Sequence, residues 1–399
     1  MGVMAAPSSA DRELDLVLFG ATGFTGALTA DYLAERGPDG LRWALAGRSI
    51  DKLERERDRL AAAHPELSGL ELIVADSDDP IALADLAART QVVISTVGPY
   101  VERGEALAGA CADAGTDYCD ITGEGEFVDR VYVAHHATAV STGARLVHCC
   151  GFDSIPHDLG AMFTVEQLPG DVPIDVRGVV RAGGMPSGGT FSTALTAFGR
   201  VKKIREAAAA RRRVEARPEG RSSRAVAGKP HRDKTLGYWL LPLPTIDPAV
   251  VARSGAALPS YGPRFRYAHY TGMKSLPYAV GGAALVSGIV LAAQLKPARE
   301  ALRRWLPAGE GPDAAKRDKS WFTVDFVGEG GGRTVHTRVS GGDPGYTETA
   351  MMLAESALCL AFDDNPDVAG QVTTAQAMGA NLLARVQAGG LKFEVCQSS

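Results

Sequence analysis

The strongest chemical signal in the chain is a glycine at every third position of the segment Gly20-Ala-Thr-Gly23-Phe-Thr-Gly26. The segment follows an apolar run and opens a helical pattern, the context in which such a loop binds a phosphate. The first glycine permits a tight turn, the second admits a pyrophosphate, and the third lets helix and strand pack closely. We predict phosphate contacts from Gly20, Thr22, Gly23, Phe24, Thr25 and Gly26. A tight turn without a ligand is the alternative.

The end of the second apolar run indicates which dinucleotide the loop binds. NAD sites place Asp or Glu there to accept a hydrogen bond from the ribose 2′-hydroxyl. This chain instead has Arg48 after Gly47, with Lys52 one helical turn later. A guanidinium suits a 2′-phosphate, so the sequence predicts NADP(H) as cofactor. The alternative is that Arg48 is a solvated residue at the start of a helix.

Two further strand ends extend the predicted cofactor site. Asp76 ends the third apolar run and is expected at the adenine edge, or else as the N-cap of the next helix. Gly98 and Pro99 close the fourth run and would let the nicotinamide ribose pass over backbone. Tyr100 follows them, and could stack on nicotinamide, donate a proton or pack in the core.

Substrate is expected beside the nicotinamide, where the chain leaves the alternating pattern for a second domain. Topology puts this exit at the cleft between the two domains. The residues predicted to bind substrate are Tyr100, Asp120, Gly151, Phe152, Asp153, Ser154 and Thr190. Asp153 could alternatively cap the helix that begins near Pro156, and Thr190 follows a glycine-rich loop that resembles an anion site.

The sequence does not identify a proton donor. Tyr270 and Lys274 spell YxxxK, the acid–base pair of short-chain dehydrogenases, but they lie in a turn-rich stretch far beyond the predicted nucleotide-binding sheet. The catalytic candidates are Tyr100, Asp153, Tyr270 and Lys274. Water is a further candidate, because the proton that accompanies a hydride transfer could come from solvent.

The elements that position these residues alternate between short apolar strands and helical segments. The predicted strands are Leu14–Phe19, Trp43–Ala46, Leu70–Ala75, Val92–Val97, Tyr118–Ile121 and Leu146–His148. Apolar runs without polar alternation indicate a parallel sheet covered on both faces. We therefore predict an α/β chain, with a doubly wound Rossmann domain over 12–150.

A second, α+β domain is predicted over 151–345. It contains a strand at Ile174–Ala182 and a hairpin of Trp321–Val327 and Thr334–Val339. Residues 346–399 are expected to form C-terminal helices, at about Thr347–Phe362 and Val372–Ala388, that pack back on the Rossmann domain.

Composition excludes several classes of protein. The 399 residues carry a net charge of −5, which does not favour binding to nucleic acid. The six cysteines are scattered, and no Cys/His group has zinc spacing, so we expect neither a disulfide framework nor a metal. The N-terminus lacks a secretory pattern. These features predict a cytoplasmic globular protein.

Two segments raise the question of a membrane or a protein partner. Residues 200–234 contain thirteen Lys/Arg against four Asp/Glu, and residues 275–295 contain no charge. Pro277 and several glycines argue against a membrane span, so we expect peripheral attachment to the inner face of the plasma membrane. The alternative is a helix at an interface or homodimer contact, with a solvated basic loop that docks an acidic carrier protein.

The order of motifs resembles that of the saccharopine dehydrogenase-like oxidoreductases, and most of all the actinobacterial trans-acting enoyl reductases. The motifs are GATGFTG, AGR, STVGPY, Asp120–Glu124, Cys150–Pro156 and Gly341–Tyr346. The resemblance implies a Rossmann NADP domain followed by an α+β substrate domain. It also implies hydride transfer to an acyl or polyketide thioester on a carrier during lipid or glycolipid synthesis.

Two other functions stay open at this point. A saccharopine dehydrogenase-type reductase of an amino-acid adduct would need convergent arginines, and the sequence offers an obvious set only within 200–234. A non-catalytic NADP(H) sensor or membrane-associated scaffold would bind the nucleotide without oxidising it. Turnover with defined substrates distinguishes the three.

Overall fold

The computed structural model describes residues 12–183, 199–278, 281, 288 and 311–398. The described residues fall into two compact units. One contains the chain up to Gly151, with Arg205–Val214 and Thr349–Gly389, and the other contains the described parts of Phe152–Ile204, Glu215–Glu348 and Gly390–Ser399. Thr190, its predicted loop and helix, and most of 275–295 lie outside the described residues.

The elements are numbered along the chain. The strands of the first sheet are β1 Leu14–Phe19, β2 Trp43–Gly47, β3 Glu71–Val74, β4 Thr90–Ser95, β5 Asp117–Asp120, β6 Arg145–Val147 and β14 Gly370–Val372. Those of the second sheet are β7 Ile174–Gly183, β8 Ser222–Ala225, β9 His231–Arg232, β10 Trp239–Pro242, β11 Arg264–Met273, β12 Trp321–Gly330, β13 Arg333–Gly341 and β15 Lys392–Ser398.

The described helices are numbered in the same way. Those before the second sheet are α1 Phe24–Arg36, α2 Ile50–Ala63, α3 Pro80–Arg89, α4 Tyr100–Arg103, α5 Glu105–Ala114, α6 Gly125–Thr142 and α7 Ile155–Val165. Those that follow are α8 Val201–Val214, α9 Asp247–Ala257, α10 Ala314–Arg317, α11 Thr347–Phe362, α12 Thr374–Ala377 and α13 Gly379–Ala388. Two short 3₁₀ helices cover Pro65–Gly69 and Pro259–Tyr261.

The first sheet is parallel throughout, in the order β14-β6-β5-β4-β1-β2-β3. Every residue of β1 and β2 is buried, which explains why these strands are apolar without alternation. The chain winds outward from β1 in one direction and then from β4 in the other. Ligands of such sheets bind beyond the carboxyl ends of the strands at this reversal.

The second sheet is mixed and follows the order β15-β13-β12-β7-β11-β10-β9, with β8 pairing on β11. Strands β12 and β13 form the predicted hairpin, joined by Gly331 and Gly332. Both turn glycines have positive φ, 59° and 79°, as a tight hairpin turn requires. The prediction of a Rossmann domain followed by an α+β domain is confirmed.

The structure differs locally from several predictions. The predicted helix Val372–Ala388 is present as two helices, α12 and α13, and a strand that was not predicted, β14, precedes them and adds to the first sheet beside β6. The end of the tail is also a strand, because β15 pairs with β13. The basic segment 200–234 is not a loop, since it contains α8, β8 and β9. Within the described residues, no helix has both the length and the apolarity needed to cross a bilayer.

Candidate functional site

The glycine loop begins where β1 ends, and its first glycine is required by the backbone. Gly20 has φ +94° and its N–H donates to the Ala46 carbonyl over 2.9 Å. A Cβ atom at Gly20 would lie 2.6 Å from the Thr96 Oγ1 atom. Both the dihedral angle and the space therefore exclude a side chain, and the chain can turn sharply from strand to helix.

The other two glycines of the loop have different roles. A Cβ atom at Gly26 would lie 2.2 Å from the Gly20 carbonyl oxygen, so this glycine allows the helix to pack on the turn. Gly23 is exposed at the N-cap of α1, and its Cβ would meet nothing closer than 3.4 Å. Thr22 is exposed beside it, and Thr25 is half-buried. An open helix N-terminus without a side chain fits the pyrophosphate of a dinucleotide.

The basic groups predicted for the 2′-phosphate are accessible. Arg48 directly follows β2 and is exposed, and it has no hydrogen bond or ion pair to any described residue. Lys52 is exposed in the first turn of α2. An exposed guanidinium at the end of β2 that no described residue engages fits the phosphate of NADP(H).

Asp76 follows β3 and does not cap the next helix. The N-cap of α3 is Asp79, whose carboxylate accepts from the Ile81 and Ala82 N–H groups over 3.0 and 3.1 Å. Asp76 is half-buried, and its Oδ1 accepts from the Asp78 N–H at 3.1 Å. The helix-cap alternative for Asp76 is therefore wrong.

Gly98 is exposed after β4, whereas Tyr100 is part of the core. The Tyr100 hydroxyl donates to the Ser95 carbonyl at 2.9 Å, and burial raises its pKa well above the usual value. Glu124 accepts from two backbone N–H groups at the start of α4, that of Tyr100 at 3.0 Å. Pro99 is the N-cap of this helix. The geometry favours packing over proton donation for Tyr100.

Asp120 is fully buried at the end of β5, where it contacts the segments that follow β5 and β6. Its Oδ2 atom lies 2.7 Å from the Nδ1 of His148, a partner that the sequence analysis did not identify. Its Oδ1 accepts from the N–H groups of Thr122 and Cys149, over 3.0 and 3.2 Å. Both carboxylate oxygens are engaged by the protein, so the structure favours a positioning role for Asp120 over direct contact with substrate.

The segment after β6 carries a strained serine. Ser154 has φ +139° and occupies the N-cap of α7, so the alternative that Asp153 caps this helix is wrong. The Ser154 hydroxyl donates to the Asp247 carboxylate at 2.9 Å. Strain of this kind, in a residue other than glycine, is typical of functional segments. Gly151 is buried, and the Phe152 ring packs 4.9 Å from that of Phe322.

Asp153 keeps its carboxyl group uncommitted. It is half-buried and makes no hydrogen bond or ion pair with any described residue. Burial raises the pKa of Asp153 to about 7, and the negative charge of Asp247 acts in the same direction. A carboxylic acid that is partly protonated at neutral pH can donate a proton.

The YxxxK pair does not form. Tyr270 lies within β11 and Lys274 just beyond its end, so about 13 Å of extended chain separates them. Tyr270 is buried, with its ring 5.4 Å from that of His231. The interpretation of Tyr270 and Lys274 as an acid–base pair is therefore wrong, because it required a helical turn between them.

A cluster in the second unit joins residues that are far apart in sequence. His157 on α7, Asp247 on α9 and His269 on β11 are 2%, 2% and 4% exposed. The His157 Nδ1 lies 3.3 Å from Asp247 Oδ1, and the His269 Nε2 lies 3.7 Å from Asp247 Oδ2. Burial lowers the pKa of both histidines, that of His269 to about 4, so both are neutral at pH 7. No motif spacing could have revealed this cluster.

The chain is similar to known NADP-dependent oxidoreductases in both sequence and fold. Residues 16–146 match the family described as the saccharopine dehydrogenase NADP binding domain, which confirms the predicted NADP(H) cofactor. A Mycobacterium tuberculosis protein, named provisionally as a trans-acting enoyl reductase, is 37% identical over 96% of this chain and 97% of its own. The trans-acting enoyl reductase of Mycobacterium bovis is 35% identical over 96% and 98%. The saccharopine dehydrogenase of Saccharomyces cerevisiae shares the fold, with a TM-score of 0.55 at 14% identity over 96% and 100%.

Proposed function

Because the chain belongs to the family of trans-acting enoyl reductases, we propose that it reduces the activated double bond of an enoyl thioester, with NADPH supplying the hydride. The family resemblance predicted from the motifs is confirmed by full-length identity of 35–37% to proteins of this name. The chain is an NADP(H)-dependent oxidoreductase. The observation that carries the proposal is the open glycine loop at the switch point of the sheet, with Arg48 exposed at the next strand end.

The residues assigned to the cofactor divide into three groups. Gly20, Gly23 and Gly26, with the threonines between them, would hold the pyrophosphate on the N-terminus of α1. Arg48 and Lys52 would bind the 2′-phosphate, and the half-buried Asp76 would border the adenine. Exposed Gly98 and the adjacent Pro99 would border the nicotinamide ribose.

Asp153 is our proposed proton donor to the α-carbon. Of the four candidates, Tyr100 donates its hydroxyl to a backbone carbonyl, while Tyr270 and Lys274 are separated along a strand. Asp153 is half-buried, and no described residue engages its carboxyl group, so its acid group is accessible to a substrate. Its raised pKa supplies a proton at neutral pH.

Replacement of Asp153 tests this assignment. We expect Asp153→Asn to lower kcat about 100-fold, because general acid catalysis contributes at least that factor, while the Kd for NADPH stays unchanged. Steady-state kinetics and nucleotide titration provide the two values. Asp318→Asn, an exposed carboxyl in the same unit, serves as the control. A kcat within threefold of the parent would show that water is the proton donor.

The acyl or polyketide chain is proposed to arrive on a carrier protein, in lipid or glycolipid biosynthesis. Helix α8 presents exposed cations that could dock an acidic carrier, among them Lys203, Arg205, Arg212 and Arg213. The same charges would attract an anionic membrane from the cytoplasmic side. Sedimentation with anionic and neutral vesicles at low salt tests the membrane as a partner, since absence of binding under these favourable conditions would leave the carrier protein alone.

Turnover with matched substrates tests the proposed function as a whole. The purified protein would be incubated with NADPH and an enoyl thioester, an oxo thioester or an imine adduct of an amino acid. We expect NADPH to be consumed with the enoyl thioester and the saturated thioester to appear. Consumption with the imine alone would support an amino-acid-adduct reductase. Tight binding of NADPH without oxidation by any substrate would support a sensor or scaffold.

A further inference from the structure

We propose that His157, Asp247 and His269 bind a divalent transition-metal ion, with Zn²⁺ as the best match. Each residue offers one ligand atom, and the three atoms lie within 4.8 Å of one another. Ligands about 2.0–2.2 Å from a tetrahedral metal lie about 3.3–3.6 Å apart. The separations of 3.3 Å and 3.7 Å between the imidazole nitrogens and the Asp247 oxygens are close to that spacing. A small movement of the rings therefore completes three metal bonds.

The buried Asp247 carboxylate lacks a cationic side chain beside it among the described residues. Asp247 is almost fully buried, and no Lys or Arg among the described residues forms an ion pair with it. A buried carboxylate without a compensating charge is unfavourable. A divalent ion between the carboxylate and the imidazoles would supply the charge that the described side chains do not.

Several nitrogens of the two histidines lack a side-chain partner. The Nε2 of His269 makes no hydrogen bond with a described residue, and neither ring nitrogen of His157 makes one with a side chain among them. Buried polar atoms normally have a partner, and each exception requires an explanation. Nitrogens that face a carboxylate but are not hydrogen-bonded to it are arranged as ligands of a shared ion.

Neighbouring residues orient the ligands. The Tyr267 hydroxyl lies 3.1 Å from the Nδ1 of His269, so the tautomer with hydrogen on Nδ1 leaves the Nε2 lone pair directed at the site. The Ser154 hydroxyl donates to Asp247 Oδ1. Two imidazoles and one carboxylate suit Zn²⁺ and its first-row neighbours and do not suit Mg²⁺ or Ca²⁺.

The ion would have a structural role within the second unit. It would join α7, α9 and β11, which come from three separate parts of the chain. Ligand burial of 96% or more argues against direct contact with a large substrate. Metal binding is measured without turnover, so its failure is distinguishable from failure of the proposed function, although a bound ion would offset the Asp247 charge that acts on Asp153.

Titration of tag-free, chelator-treated protein with Zn²⁺ alone and Co²⁺ alone tests the proposal. Cys396 is exposed and could bind metal adventitiously, so Cys396→Ser serves as the parent. We expect one equivalent of Zn²⁺ to bind, Co²⁺ to show the visible absorption of a tetrahedral site, and saturating Zn²⁺ to raise Tm by about 5 °C.

Two variants and a control decide whether the metal is bound at this site. His157→Gln and His269→Gln should each weaken Zn²⁺ binding at least tenfold and abolish the Co²⁺ spectrum, whereas His231→Gln, at an exposed histidine, should change neither. If the cluster variants do not fold, the stoichiometry and Co²⁺ spectrum of the parent decide. The proposal is overturned if the parent binds no stoichiometric metal, or if folded cluster variants bind it as tightly as His231→Gln does.

Discussion

At the scale of a single side chain, Arg48 is the residue that we propose selects NADPH over NADH. Its exposed guanidinium has no described partner that would compete for a phosphate. A hydrogen bond between a charged pair contributes about 1.5–3 kcal/mol, so Arg48→Ala should weaken NADPH binding about ten- to a hundredfold and leave NADH binding unchanged. Calorimetric titration measures both affinities.

The matched control for this prediction is Arg55→Ala. Arg55 is exposed about two turns further along α2 and carries the same charge. The assignment of Arg48 fails if both variants lose the same affinity, since that result would reflect the general field of the protein.

Gly23 and Gly26 provide a second residue-scale prediction, because substitution by Ala should change nucleotide affinity at the first and stability at the second. Gly26→Ala places a Cβ 2.2 Å from the Gly20 oxygen and should lower the free energy of unfolding by about 1–3 kcal/mol. Gly23→Ala meets no atom closer than 3.4 Å, so stability should hold while NADPH affinity falls. Thermal unfolding and nucleotide titration of both variants separate the effects. Equal loss of stability in the two would contradict the distinction.

The sequence predicted the glycine loop and Arg48 because their geometry is local. Three glycines at fixed spacing and the residue after a strand are readable without knowledge of distant contacts. His148, Asp247 and His269 were missed, since each acquires its partners from remote segments. Absence of metal spacing along the sequence likewise says nothing about ligands 90 or more residues apart, such as His157 and Asp247.

At the scale of elements, a strand was predicted correctly where its sequence is a clear apolar run. The strands β1, β2 and β4 were predicted because their apolar runs are buried on both faces. Strand β14 has three residues and precedes a helical pattern, so its sequence does not distinguish it. Strand β15 begins with charged residues at alternate positions and is mostly exposed. Its sequence therefore does not predict a strand, which is recognised only from its pairing with β13.

Helix α8 shows how burial divides one basic segment. Arg211 is 4% exposed and donates to Gln371 at 2.6 Å, with its guanidinium 4.0 Å from the centre of the Tyr132 ring. It also lies 3.5 Å from the Asp129 carboxylate. Arg211 therefore fixes the part of α8 that belongs to the first unit, and Lys203, Arg205, Arg212 and Arg213 are exposed on the same helix.

These exposed cations give an element-scale prediction. Combined replacement of Lys203, Arg205, Arg212 and Arg213 by Ser should raise the KM for a carrier-bound enoyl thioester about tenfold at low salt. The kcat and KM for the neutral N-acetylcysteamine thioester should not change, because this substrate has no acidic carrier. The difference should shrink as salt is added.

The control removes the same charge from another surface. In this control variant, four exposed basic residues of the second unit are each replaced by Ser: Lys316, Lys319, Arg333 and Lys392. An equal rise in KM with this control would assign the effect to net charge and would contradict docking on α8.

At the scale of the whole molecule, two sheets of different construction share one chain. The parallel sheet carries the glycine loop at its switch point, and the second unit contains Asp153 and the histidine cluster. The chain passes repeatedly between the units, since Arg205–Val214 and Thr349–Gly389 belong with the first. Sequence periodicity predicted both architectures and the family resemblance agreed with a return of the C-terminal helices, whereas the return of Arg205–Val214 depends on tertiary contacts that no local pattern shows.

The most direct test of the central claim follows deuterium from the cofactor to the substrate. Purified protein would be incubated with an enoyl thioester and NADPH that carries deuterium in both C4 positions of the nicotinamide, and the product analysed by mass spectrometry. We predict a saturated chain with one deuterium at the β-carbon and a solvent proton at the α-carbon. Recovery of the enoyl thioester unchanged from protein that binds NADPH, or a saturated product without the label, would contradict the account.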